Sequence, residues 1–88
     1  MGYEDRVVLA PRAVKDVGRL DRKGQARVHR ALDRLAENDR SLNIMRLTNS
    51  RLARVRVGEL RIIYEVDVDL EKIVVARVMA RGAAYKKI

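Results

Sequence analysis

The sequence contains no cysteine, no tryptophan and no phenylalanine, one proline and only three tyrosines among 88 residues. Without cysteine, neither a disulfide framework nor a thiolate zinc site is available. The fold must stand on apolar packing, or partly on a partner, and the absence of thiols fits a reducing, cytoplasmic location. So few aromatics give little support to a base-stacking platform. No apolar run is long enough to span a bilayer, so no membrane association is expected. The opening MGYEDRVVLAPR lacks the charged-then-apolar order of a secretory signal. Arg6 stands where a myristoylation signal needs Ser or Thr. Yet 48% of the residues are hydrophobic, too many for a disordered tail. A chain this short buries only about two-thirds of its unfolded surface, so its core is thin.

What the chain has in excess is positive charge, +8 formally. Residues 1–44 carry ten bases and seven acids, an ordinary mixed surface. Residues 45–64 carry five bases and one acid, 65–71 four acids and no base, and 72–88 five bases and no acid. The C-terminal half is therefore basic except for one acidic island. A localised basic excess points to a polyanion or an acidic protein partner.

No repeat, linker or low-complexity run interrupts the chain, and residues 1–88 read as one domain. Glu4 to Leu9 suggests a first strand. Pro11 sits where a helix starts, since its missing N–H costs nothing in the first turn. Val14, Val17 and Leu20 recur at helical spacing, with Gly18 weakening the helix. Asp21 is a candidate N-cap for a second helix, in which Val28, Ala31, Leu32 and Leu35 form one stripe and Asn38 and Asp39 mark the end. The two helices make an αα-hairpin. Residues 38–50 are poorly patterned; Ile44 and Leu47 are expected to anchor a loop to the core. The period then changes to two. Ala53 to Val57 alternates strictly, Gly58 and Glu59 form a two-residue turn with Gly first, and Leu60 to Val66 returns. Asp67 to Glu71 is the next turn and Lys72 to Met79 a third strand of the meander. The expected class is α+β, in the order β-α-α-β-β-β, with a largely antiparallel sheet and the N-terminal αα-hairpin packed on one face.

The hairpin turn fixes which side chains share a face. Val57 pairs with Leu60, Arg56 with Arg61, Val55 with Ile62 and Arg54 with Ile63, and cross-strand partners point the same way. Val55, Val57, Leu60, Ile62 and Tyr64 thus face the helices, while Arg54, Arg56 and Arg61 face away. With a five-residue second turn, Arg61 also faces Arg77, and Val74, Ala76 and Val78 join the core. Ile63, Ile73 and Val75 would then lie beside the arginines, a surface suited to an acidic, amphipathic peptide. Like charges directly opposed on a sheet repel by roughly 0.2–1 kcal/mol per pair. Either an anion sits among the guanidiniums, whose planar forks match phosphate oxygens, or Glu59, Glu65 or a tail acid neutralises them.

Hydrolytic constellations are mostly missing: there is no HExxH, no P-loop and no nucleotide fingerprint. The single His29 reads as a surface or half-buried helix residue. Asp67, Asp69 and Glu71 read as a solvated turn rather than a metal loop, so no metal and no cofactor is expected. Tyr64 has core parity. Tyr85, four residues after Arg81 in a basic tail, either packs the tail down or serves in proton transfer, since nearby guanidiniums favour a phenolate.

The order of elements, the segment Val55 to Val66 (VRVGELRIIYEV) and the segment Val78 to Tyr85 (VMARGAAY) resemble the RelE/ParE superfamily of type II toxin–antitoxin toxins. The resemblance covers essentially the whole chain and implies a RelE-like fold. It also implies a ribosome-dependent endoribonuclease that enters the ribosomal A site and cleaves messenger RNA without a metal. In that chemistry the 2′-hydroxyl attacks the adjacent phosphate, leaving a 2′,3′-cyclic phosphate and a 5′-hydroxyl. Carried over by position, Arg54 and Arg56 match the basic residues of the second strand, Arg61 the phosphate-binding arginine, Arg81 the arginine after the last strand, and Tyr85 the tail tyrosine that acts as general base or acid. Arg77 is added as a phosphate ligand by its place opposite Arg61. Leu52 and Arg54 stand where many relatives have lysines, and Ala80 where many have histidine. Because arginine does not readily release a proton, the acid–base work falls on Tyr85. The same departures leave room for the ParE branch, which inhibits DNA gyrase, or for a basic nucleic-acid-binding module without toxicity. The implied partners are an acidic, RelB-like antitoxin in a hetero-oligomer, the ribosome and its messenger, all in the cytoplasm.

Overall fold

The computed structural model describes residues 6–37, 43–47 and 51–80. The elements run β1 (Val7–Leu9), α1 (Pro11–Gly18), α2 (Arg22–Ala36), β2 (Asn43–Arg46), β3 (Ala53–Val57), β4 (Leu60–Asp67) and β5 (Lys72–Ala80). The strands form a five-stranded sheet in the order β1-β5-β4-β3-β2. β1 pairs with β5 in parallel and the other neighbours are antiparallel. The expected α+β class and meander are present. The helices lie between β1 at one edge and β2 at the other, so they cover one face and leave the other to the arginines.

Local chemistry explains the helices. Pro11 occupies the first turn of α1 after an extended Ala10. The Asp21 side chain accepts the Gly24 N–H at 2.8 Å, an N-cap for α2. Gln25 Nε2 donates to the carbonyls of Val17 (3.1 Å) and Leu20 (3.2 Å), satisfying the open end of α1 and fixing the hairpin. Arg6 does the same for α2, donating to the Ala36 carbonyl at 2.8 Å. α2 ends at Ala36 with Glu37 as C-cap. Asn38 and Asp39, like Glu4 and Asp5, lie outside the described residues.

The core joins Val28, Ala31, Leu32 and Leu35 of α2 to Val55, Leu60, Ile62, Tyr64, Val75 and Val78 of the sheet. The α2 stripe is the expected one. α1 differs: Val14 is 54% exposed and Ala13 is fully buried, with Val17 and Leu20 packed beside it. The small Ala13 side chain lets the helix lie close on β5, and the inward stripe starts one residue earlier than the valines suggest.

Two further expectations are corrected. Residues 43–46 are a strand, not a loop; Ile44 pairs with Val55 but is 46% exposed, because β2 is the outermost strand. In β5, Ile63 pairs with Arg77 and Tyr64 with Val75, so Ala76 is an unpaired bulge residue. The turn spans only residues 68–71, since Asp67 pairs with Lys72. Arg61 therefore faces Met79, not Arg77. Val75 and Ile73 turn to the core in place of Val74 and Ala76, and neither lies beside the arginines. A bulge re-aims every residue on one side of it.

The β3–β4 turn has Gly58 at φ 59 and Glu59 at negative φ, the II′ form that the Gly-first order implied. A Cβ at Gly58 would also lie 3.0 Å from the Arg27 Nη1. Gly58→Ala is expected to cost about 1–2 kcal/mol. Gly18 lies in open space, where a Cβ would meet nothing within 4 Å, and its φ is one that any residue adopts. Gly18→Ala should therefore stabilise by about 0.5 kcal/mol. Thermal melts read both, at roughly 4–8 °C per kcal/mol for a chain of this size.

Candidate nucleic-acid interface

Alternation along β3 and the II′ turn place Arg54, Arg56 and Arg61 on the face without helices. Arg56 stands directly opposite Arg61, as expected. The Arg54 Nη2 lies 3.2 Å from the Met45 Sδ of its cross-strand partner on β2. Arg56 is exposed, whereas Arg61 is 8% exposed and is the one buried charged residue among those described. Burying a guanidinium is costly, and the Nε atom of Arg61 is buried and makes no hydrogen bond among the described residues, though other interactions engage the residue. The row beside it is apolar: Met79 across on β5 and Ile63 two residues on. Glu65 shares the face but pairs with Val74, on the far side of the bulge. Arg81 and Tyr85 lie outside the described residues. Ala80, the last described residue, pairs with Leu60, the neighbour of Arg61 in β4.

Arg77 has a different setting. It shares a row with Ile63 and Arg54, but its guanidinium turns to the sheet edge and meets Asp16 of α1. Nε donates to Asp16 Oδ2 at 2.8 Å and Nη2 to Oδ1 at 3.2 Å. Oδ2 also accepts the Val78 N–H at 2.9 Å. Desolvation by itself would raise the Asp16 carboxyl. The bonds from Arg77 and Val78, with the charges of Arg77 and Arg19, outweigh it and hold the group below its ordinary range. The same bond raises Arg77. Burial alone raises the packed Tyr64 phenol. Asp16 escapes sequence reasoning because its partner is distant in the chain; its only local sign is an acid beside the inward stripe of α1.

A wider cleft of ≈ 730 Å³ lies near the other end of β4, among Arg46, Arg51, Glu65, Asp67 and Asp69 with Ile44 and Val68. Its charges are mixed, and it does not include Arg54, Arg56 or Arg61. Asp67 is occupied locally, accepting the Leu70 N–H at 3.1 Å. Exposed apolar side chains gather at this end too, as Val66, Val68 and Leu70, while Met45, opposite Arg54, is exposed beside the arginines. His29 is on the exposed side of α2. The arginine face is thus an open, basic surface suited to a polymer rather than a small ligand. Among the described residues, no helix is long and apolar enough to cross a membrane.

Residues 7–85 match the family model described as ParE toxin of type II toxin-antitoxin system, parDE. No curated protein matches the sequence. The fold is similar to a chain of the RelB–RelE antitoxin–toxin complex from Methanococcus jannaschii, with TM-score 0.78 and 22% identity over 92% of this chain and 98% of that one. It is similar to a chain of the archaeal RelE–RelB complex from Pyrococcus horikoshii OT3, with TM-score 0.75 and 24% identity over 88% and 94%. It is also similar to the isolated RelE toxin of E. coli, with TM-score 0.73 and 16% identity over 93% and 92%. At these identities the likeness is one of fold.

The Asp16 clamp carries a pH dependence. A carboxyl held low in the folded state stabilises above its ordinary value of 3.8 and loses that contribution as pH falls toward the folded value. Asp16→Ala should cost about 1–3 kcal/mol at neutral pH, the range for a lost charged hydrogen-bond acceptor. Urea titrations of wild type and variant should converge as pH is lowered below the ordinary carboxylate range. A gap that stays constant with pH would contradict this account.

Proposed function

This chain belongs to the ParE toxin family of type II toxin–antitoxin systems, and we propose that within it the chain is a ribosome-dependent endoribonuclease that stops translation by cutting messenger RNA. The observation that supports this reading best is the cluster of Arg54, Arg56 and Arg61 on a face free of helices, with Arg61 buried and directly opposite Arg56. A one-signed cluster opposed across strands weakens the free protein. A phosphodiester backbone would relieve it.

Cleavage needs a base for the 2′-hydroxyl, charge stabilisation at the phosphorane and an acid for the leaving 5′-oxygen. The 2′-oxygen bonds to phosphorus as the bond to the 5′-oxygen breaks, and a proton moves from the first oxygen to the enzyme while one is given to the second. Arg61 and Arg81 stabilise the equatorial oxygens. Arg54 and Arg56 hold the flanking phosphates, with Arg77 contributing from the rim where Asp16 orients it. Tyr85 transfers the proton. The partner in the resting cell is an acidic antitoxin, in keeping with the antitoxin–toxin complexes whose fold this chain shares. The site of action is cytoplasmic.

A second reading has its own support: the matching family model carries the ParE description, the branch that the resemblance associates with inhibition of DNA gyrase. Purified protein added to programmed ribosomes and, separately, to a gyrase supercoiling reaction decides between them. The nuclease reading expects cut messenger, with Arg61→Ala lowering the single-turnover rate by about 10²–10³ and Tyr85→Phe by about 10²–10⁴ while ribosome binding persists. Supercoiling inhibition without any cleavage would overturn it. If Glu65→Gln abolishes cleavage and Tyr85→Phe does not, the carboxylate is the base.

A further inference from the structure

A second group of cations lies off the arginine face. The cleft between α1 and the outer edge of β5, ≈ 210 Å³, is lined by Arg12, Lys15, Asp16, Arg19 and Arg77. Its one acid is already engaged: Oδ2 of Asp16 accepts from Arg77 Nε and the Val78 N–H, and Oδ1 accepts from Arg77 Nη2. Arg12, Lys15 and Arg19 are exposed, and among the described residues none of their side chains forms a hydrogen bond or ion pair.

Helix stability explains this stripe only in part. Positions 12, 15 and 19 are successive neighbours on one side of α1, and like charges at that spacing weaken a helix. The macrodipole accounts for Lys15 in the last turn and Arg19 at the C-cap, but not for Arg12 in the first turn. The stripe runs about 10 Å along the helix. Arg77 links it to the sheet, because Arg54, Ile63 and Arg77 form one row across β3, β4 and β5. At the usual strand spacing the two ends of that row are about 10 Å apart. A backbone crossing the row would leave the sheet over α1.

We propose that the α1–β5 cleft is a second phosphate-binding subsite, which holds the RNA backbone flanking the segment bound on the arginine face. This deepens the proposed function and rests on its RNA reading. The lining contains no apolar side chain. An acidic protein segment would find no pocket for its own apolar residues there, whereas guanidinium and ammonium groups alone suffice for a sugar–phosphate backbone.

The test uses the full chain and a labelled single-stranded RNA oligonucleotide, with binding measured across a salt series. Each phosphate contact to a single strand contributes about 0.7 to the slope of log affinity against log salt. The combined variant Arg12→Gln, Lys15→Gln, Arg19→Gln should flatten that slope by about 2, and Arg19→Gln alone by about 0.7. Thermal melts should show the variants folded, at or slightly above the wild-type midpoint, since the three side chains lie outside the core and their mutual repulsion is removed. An unchanged slope in a folded variant overturns the subsite, even if wild type cuts messenger on ribosomes. A flattened slope supports the subsite, even if wild type proves to act on gyrase and the nuclease reading fails. Displacement of the RNA by polyglutamate as effectively as by unlabelled RNA of equal charge would also overturn it, in favour of an acidic protein.

Discussion

One carboxylate holds the sheet edge together. β5 has nine residues, but β1 pairs with only three of them, Ile73 to Val75. Past that point β5 has no strand on its outer side among the described residues, and an unpaired backbone N–H against packed structure is expensive. Asp16 takes the Val78 N–H and the Arg77 guanidinium together. That triple contact sets where α1 lies, which brings Ala13 into the core and directs Arg77 away from the centre of the basic face. It also protects an edge that would otherwise be open to pairing with another strand.

The bulge at Ala76 has a comparable reach. With one extra residue in β5, Val75 and Val78 both face the helices although they are three positions apart. The bulge divides the opposite face into two parts. On one side stand Arg61, Met79 and the row of Arg54 and Arg77; on the other Glu65 faces Val74. The nearest acid on that face is therefore separated from the arginines by a break in the ladder. Positive charge stays concentrated where β3, β4 and β5 run in register.

Three acids are engaged locally, and only Asp16 draws on the basic surfaces, through Arg77. Asp16 is taken by Arg77, Asp21 caps α2 and Asp67 closes a turn. The result is a predominantly positive field over two adjoining surfaces, the arginine face and the outer side of α1. Such a field draws in a polyanion and speeds its arrival, at the cost of self-repulsion in the free protein. A thin core leaves little stability to spare against that repulsion.

Much of this was legible in the residues alone. Gly58 before Glu59 determined the II′ turn, and that turn determined the pairing of Arg56 with Arg61 and of Arg54 with Ile63, because a two-residue loop permits one register. Asp21 and the stripe from Val28 to Leu35 determined α2 in the same local way. The places of Arg54, Arg56 and Arg61 on one face follow from these short-range rules. Only the tertiary structure decided the rest. The strand at residues 43–46 has weak alternation and forms because β3 offers it an edge. The bulge at Ala76 has no local mark, since it answers to the placing of both Val75 and Val78 in the core. The partnership of Asp16 with Arg77 joins residues 61 positions apart, and no periodicity carries information over that distance.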